Sequence, residues 1–301
     1  MRDLFVLIAT HGRTPLLGRT LGSLAACRRP EGYRGTIVIE NGSRAGAEGL
    51  VAAADPGLRA EYLHAERPNK SAALNLGLER CPDAFVVFLD DDILLEPQVL
   101  EAYAAAREAH PGRHFFGGPC RADWEEEPPD WLKPLLPASA RGWSIEDPGR
   151  PLTEVMFLGF NWAAEARDVL EAGGFDPQRG PGTPSMGQES DMMQRLVNRG
   201  WTGIYVPDAL GHHHVPRDRC SPQWAIARSS RFGAALAHGC RLTGRPRWPR
   251  VAVYAAMQPA LAIRRAMARR RGDRPAEVRA ACLRNRRAAF IRETLRHPFA
   301  P

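Results

Sequence analysis

Two kinds of segment alternate along the first 110 residues of the chain. Short, mostly apolar runs at residues 4–10, 36–40 and 85–89 are too short for helices and too continuous for a strand with one wet face. They predict strands buried on both sides, as in a parallel sheet. Between them, Leu16, Leu17, Leu21 and Leu24 fall near helical spacing, residues 44–54 and 70–78 also read as helices, and Tyr62-Leu63 belongs to a further short strand. Strand followed by helix, repeated, predicts an α/β fold with a Rossmann-like, mostly parallel central sheet flanked by helices. No GxGxxG follows the first strand, so the dinucleotide fingerprint is absent.

Beyond Phe115-Phe116-Gly117-Gly118 the periodicity loosens. Residues 121–151 are rich in Trp, Pro and Glu, and include Trp124, Trp131 and Trp143. A segment this long without its own periodicity is usually functional or disordered, and three indoles argue against disorder. It is therefore expected to face a substrate. Helical patterns return at residues 251–262 and 276–295.

Charge changes this picture at one end only. The chain has 301 residues, 44% of them apolar, and a net charge of +7. Residues 241–301 hold 16 Arg and no Lys against Asp273, Glu277 and Glu293, while the remainder carries 25 basic and 31 acidic groups. The surplus of positive charge belongs to a helical tail. The apolar run at residues 4–9 is too short for a signal peptide. The longest later apolar run, 251–262, is broken by Gln258 and Pro259 and falls short of the roughly 20 residues that span a bilayer. The six cysteines show no CxxC spacing and no disulfide framework, so the expected compartment is a reducing cytosol.

The strand at 85–89 ends on Asp90-Asp91-Asp92. Open α/β sheets bind ligands at the carboxyl ends of their strands, and three adjacent acids repel one another unless a cation or ligand hydroxyls engage them. A hard divalent metal held by oxygen ligands and substrate phosphates fits that demand. A calcium loop starting at Asp90 fails, because Leu94 and Leu95 stand where a ligand and a glycine are needed. A solvated acidic turn capping a helix near Pro97 is the plain alternative.

Several elements then occur in a familiar order. Val6 to Arg13 carries an apolar strand, Thr10 and Arg13; Glu40-Asn41-Gly42-Ser43 follows the second strand; Lys70, Ala73, Asn75 and Gly77 open a helix before the acidic triplet. Further on come Gly159-Phe160-Asn161-Trp162, Gly173-Gly174-Phe175-Asp176, Gly187-Gln188-Glu189-Ser190-Asp191 with Arg195-Leu196, and His212-His213-His214-Val215-Pro216. In this order, over residues 3–240, the chain resembles a family 2 glycosyltransferase of GT-A fold. It departs by Glu40 in place of Asp, and by Gln188-Glu189 in place of Glu-Asp.

The resemblance implies a metal-dependent, inverting transfer of a sugar from a nucleoside-diphosphate sugar, a UDP-sugar above all, to a glycan, lipid-linked or small-molecule acceptor. It implies Mn2+ or Mg2+ held by Asp92 and His213, with His212 and His214 as the rival pair because alternate strand residues face opposite sides. Thr10, Arg13, Glu40, Asn41, Lys70, Asn75, Asp90 and Asp91 would bind the nucleotide sugar. Glu40 would read the base, and Asp90 would face the same side as Asp92. Glu189 would be the catalytic base, with Asp191 the second acid of that motif. Trp131, Trp143, Asn161 and Trp162 would meet the acceptor. The implied organisation is a catalytic domain at 1–240, halved near 118, and an Arg-rich extension at 241–301. That extension is expected to dock on an anionic membrane face from the cytoplasmic side, or to pack on the catalytic domain or on a second copy as a homodimer. It lacks a recognisable nucleic-acid motif. A nucleotidyltransferase or a non-catalytic glycan binder are the alternatives; the first lacks its Gly-rich loop after strand one, and the second would not require a base.

Overall fold

Alternation along the strands creates two separate cores. In β1 (Leu4–Thr10), Leu4, Val6 and Ile8 enter one buried cluster while Leu7 and Ala9 enter the other; in β4 (Phe85–Asp90), Phe85, Val87 and Leu89 divide from Val86 and Phe88 in the same way. This explains the unbroken apolar runs, because both faces of these strands are covered. The structure is a computed structural model that describes residues 3–145, 157–181, 183, 187–242 and 244–297.

The remaining strands are β2 (Tyr33–Asn41), β3 (Ala60–Ala65), β5 (Ile93–Leu95), β6 (His114–Gly117), β7 (Cys120–Trp124), β8 (Asn161–Glu165), β9 (Thr202–Tyr205) and β10 (Gly211–Val215). Together with β1 and β4, five of these form one sheet in the order β3-β2-β1-β4-β8-β6-β9, and β5-β10-β7 form a small second sheet. The first four run parallel, β8 runs antiparallel to β4 and β6, and β6 is parallel to β9. The mostly parallel sheet expected from the sequence is present, with one antiparallel insertion.

The helices are α1 (Thr14–Ala25), α2 (Ala47–Ala52), α3 (Lys70–Arg80), α4 (Val99–Ala109), α5 (Ala138–Arg141), α6 (Ala166–Glu171), α7 (Gln188–Asn198), α8 (Pro222–Leu242), α9 (Trp248–Ala256), α10 (Gln258–Arg270) and α11 (Arg274–Arg296). Leu17, Leu21 and Leu24 of α1, with Val99, Leu100 and Tyr103 of α4, cover one face of the sheet. Ala73, Leu74 and Leu78 of α3, Val169 of α6, and Met192, Met193 and Leu196 of α7 cover the other. Helix α3 lies close because Gly77 has no side chain: a Cβ there would sit 2.7 Å from Leu7 Cδ2 and 2.9 Å from Ile39 Cδ1.

The chain divides into two compact units, Met1–Asp123 with Gly142–His214, and Trp124–Arg141 with Val215–Pro301. The second of these units takes in α8. Its residues Ala237 and Cys240 share a buried cluster with Phe290 of α11. The two helices approach so closely that a Cβ on Gly233 would sit 1.9 Å from the carbonyl oxygen of Arg286. The segment expected to face an acceptor is likewise divided: 124–141 belongs to the second unit, 142–145 to the first, and 146–151 lies outside the described residues. Among the described residues no helix is long and apolar enough to cross a membrane.

Candidate active site

The chain leaves β1 toward β2 and β3 on one side and returns to β4 on the other, so the order of the sheet reverses between β1 and β4. Such a switch point opens a crevice outside the carboxyl ends of the strands. Register places Thr10 beside Glu40 and Ala9 beside Asp90 at that edge. Past β1 the chain turns through Gly12, whose φ of 64° suits glycine, and enters α1 behind Arg13.

Strand β4 stops at Asp90, and Asp91 and Asp92 form the turn into β5. Strand alternation therefore does not extend to them, although Asp90 and Asp92 both act on Arg13 and Lys70. Asp90 is paired with Lys70 Nζ at the start of α3, whose preceding residue Asn69 caps the helix by accepting from Ala72 N at 2.9 Å. Asp91 is wholly buried, accepts from Thr10 Oγ1 at 2.6 Å and pairs with Arg13. Asp92 takes Arg13 Nη1 at 2.5 Å. Burial pushes the Asp91 carboxyl up to about 6, against the pull of Arg13 and Thr10. Burial opposes the charge of Arg13, and Asp92, Asp91 and Asp90 outweigh it.

The three histidines part company on β10. His212 Nε2 lies 2.8 Å from Glu96 Oε1; His214 Nδ1 lies 3.2 Å from Arg19 and 3.7 Å from Asp123. His213 Nε2 lies 3.6 Å from Asp92 Oδ1, and its ring stacks on Phe160 with centroids 4.4 Å apart. The His213 ring thus lies beside the Asp92 carboxylate, while His214 meets the acidic turn through its backbone N–H, which donates to Asp92 O at 2.9 Å. Among the described residues no group of three or more His, Cys, Asp or Glu side chains could hold a metal ion. A carboxylate and an imidazole side by side, in a turn whose acids already face the guanidinium of Arg13, nevertheless suit a divalent cation that draws its other ligands from a diphosphate.

Helix α7 begins after Gly187, which has φ 85°, and carries Glu189 and Asp191 in its first turn. Asp191 is clamped by Arg195 Nε at 2.9 Å and Arg179 Nη1 at 3.2 Å. Arg195 also donates to the carbonyls of Ala172 at 2.6 Å and Gly174 at 2.7 Å. Asp191 therefore anchors the helix to the Gly173-Gly174 turn. Glu189 lies over Gly159, where a Cβ would come within 2.4 Å of its Cγ. Burial works against the charge of Lys70, and Asp90, then Glu189 and Asp92, restore it. The helix start and the β4 end thus act on one lysine.

Other expected site residues take structural parts. Thr10 is buried with its hydroxyl engaged by Asp91, and Asn41 Nδ2 donates to Thr10 O at 2.7 Å, tying the β1 and β2 ends together rather than presenting either side chain to a nucleotide. Asn75 accepts from Phe175 N at 2.7 Å and donates to Phe175 O at 2.8 Å, so its amide holds a turn. Asn161 is fully buried, accepting from Tyr103 Oη at 2.8 Å and donating to Pro119 O and Ala209 O. Trp162 is buried and stacked on Phe88 at 4.4 Å. Neither can touch an acceptor from there. Trp143 packs edge-on against Phe157 and Tyr205, and Trp131 is half-buried in the second unit.

Glu40 has both oxygens engaged, by Ala45 N and Tyr62 Oη, each at 2.7 Å. Burial pushes its carboxyl up, but these donors outweigh it and hold it below the ordinary range. Arg179, Gly159 and Phe160 were not marked from the sequence as site residues. Gly159 and Phe160 adjoin Asn161 in a quoted motif, whereas nothing local signals that Arg179 meets Asp191.

A family model described as glycosyltransferase-like family 2 matches residues 2–235. The succinoglycan biosynthesis protein ExoM of Rhizobium meliloti (strain 1021) is 30% identical over 249 residues, 76% of this chain and 75% of that protein. The fold is similar to the mannosyltransferase PcManGT from Pyrobaculum calidifontis in complex with GDP-Man and Mn2+, with a TM-score of 0.63, 19% identity, and 99% and 88% of the two chains covered. It is also similar to S. aureus TarS 1–349 in complex with UDP-GlcNAc, with a TM-score of 0.56, 13% identity, and 98% and 92% covered. With a family match over most of its length and this sheet at its centre, the chain belongs to the family 2 glycosyltransferases and has the GT-A fold.

Proposed function

We propose that this enzyme transfers a sugar from a nucleoside-diphosphate donor to a hydroxyl of a glycan acceptor, with inversion at the anomeric carbon and with a divalent cation. The observation that carries this reading is the convergence of Asp90–Asp92, His213 and Lys70 at the β1/β4 switch point, with Glu189 acting on the same lysine. The relative named for succinoglycan biosynthesis supports a glycan acceptor, and the solved neighbours named with GDP-Man and UDP-GlcNAc support a nucleotide-sugar donor.

Asp92 and His213 would hold the cation, which when bound supplies charge neutralisation for the departing diphosphate. Lys70 and Arg13 add fixed positive charge toward the phosphates. Asp90 and Asp91 keep those two cations in place. Glu189 takes the proton from the attacking hydroxyl; Asp191, tied to two guanidiniums, fixes where that helix begins. The test is a panel of UDP- and GDP-sugars with and without Mn2+, read by nucleoside diphosphate release and by thermal shift. A donor should stabilise the protein only with Mn2+, and Asp92→Ala should lose both that shift and turnover. Full turnover in excess EDTA, or release of pyrophosphate instead, would overturn the proposal.

A further inference from the structure

Residues 241–272 contain nine arginines and not one acidic residue. The stretch folds as α9 and α10, joined at Met257. Their inward faces are accounted for within the second unit. Val251 and Tyr254 pack against the cluster of Ala237, Cys240 and Phe290, with the Tyr254 and Phe290 rings edge-on at 5.2 Å. Leu261 and Ala268 are buried, and Arg265 reaches Glu277 at 3.8 Å.

The outward faces are the unusual ones. Trp248, Val253, Met257, Ile263 and Met267 are between 40% and 59% exposed, and the small residues between them, Ala252, Ala256 and Ala260, are exposed too. Val253 and Ala256 on α9, and Ala260, Ile263 and Met267 on α10, fall at helical spacing, so each helix carries an exposed apolar stripe. Exposed Arg250, Arg264, Arg269, Arg270 and Arg271 flank these stripes. A helix face turned to water would be polar, and the core face of each helix is already occupied. A second copy is a poor cover, since it would bring the same arginines against these. Exposed apolar stripes flanked by arginines, on two helices that carry no acidic residue, fit the boundary of an anionic bilayer, where apolar side chains enter the acyl region and guanidiniums remain at the headgroups.

We propose that the outward face of α9 and α10 docks this enzyme on an anionic lipid surface. The experiment uses the full chain, with vesicles of phosphatidylcholine alone or with about one third phosphatidylglycerol, at low and high salt. One variant carries Ile263→Asp with Met267→Asp, and a second carries Arg264→Ser with Arg269→Ser and Arg270→Ser. The wild type should co-sediment with the anionic vesicles and be weakened by salt, and each variant should lose roughly tenfold or more in partitioning with its melting temperature unchanged. No co-sedimentation of the wild type overturns the proposal, as does equal binding to neutral vesicles. Loss in the arginine variant alone would reduce it to adsorption without insertion. A wild-type dimer in light scattering that the Ile263/Met267 variant dissolves, with no vesicle binding, would assign the face to a second copy instead.

Discussion

Glu189 is positioned by a residue with no side chain. Because a Cβ on Gly159 would fall within 2.4 Å of Glu189 Cγ, Gly159→Ala must displace the carboxylate while leaving its chemistry intact. Glu189→Gln removes the chemistry and leaves the position, and should lower kcat by roughly a hundredfold or more with donor binding kept. Gly159→Ala should also lower kcat; unchanged kinetics in either variant would remove Glu189 from the base role. Glu40 offers a pH test. Its folded carboxyl is held below the ordinary value by Ala45 N and Tyr62 Oη, so its contribution to stability is present above the ordinary carboxylate range and is lost as pH falls through the depressed folded value. Tyr62→Phe should therefore cost about 1–2 kcal/mol at neutral pH and progressively less in acid, as followed by urea melts across pH. A constant difference down to low pH would contradict this origin.

Elements in this protein are fastened by single side chains that grip backbone. Asn75 joins α3 to the Gly173-Gly174-Phe175 turn through both halves of its amide, and Gly174 is left-handed at φ 66°. Asn75→Ala leaves the Phe175 N–H and C=O without that partner and should cost about 1–3 kcal/mol. Donor affinity should change little; a large loss of affinity with unaltered melting would restore the nucleotide-contact role expected from the motif. In the second unit the tight crossing of α8 and α11 rests on Gly233. Gly233→Val forces the helices apart at the Arg286 carbonyl, and overpacking of this kind costs about 1–3 kcal/mol. Calorimetry should register a lower melting temperature for that variant, whereas Gly239→Ala, with open space around its Cβ, should melt like the wild type.

At the scale of the whole molecule the charge is segregated, with the arginine surplus confined to residues 241–301. The compact units do not follow that composition. The second unit takes in Trp124–Arg141 and everything from Val215, and its helix α8 shares the buried cluster of Phe290 on α11. A truncation near 239 would leave the α8 face at Ala237 without its cover. Such a chain is expected to aggregate or melt early, and a clean, cooperative melt at the wild-type temperature would show that α8 is stable without α11.

Sequence by itself determined the alternating strands and helices of the first 110 residues and the order of the motifs. These depend on local periodicity, and a run such as Phe85–Asp90 has few other ways to bury both faces. The acidic strand end at Asp90–Asp92 is legible there too, whereas His213 and Glu189 are marked only through the resemblance of the motifs that carry them. Only the tertiary structure decided which of three adjacent histidine rings meets Asp92. That choice depends on β10 pairing antiparallel with β5, which sets His213 opposite Ile93 and leaves His212 to Glu96. It likewise decided that Asn75, Asn161 and Trp162, polar or aromatic and adjacent to glycines, face inward. An amide that satisfies two distant backbone groups looks, in sequence, the same as one that awaits a ligand. The sharing of Asp191 between Arg195, four residues on, and Arg179, across a turn, divides the same way: the first is helical spacing, and the second exists only after folding.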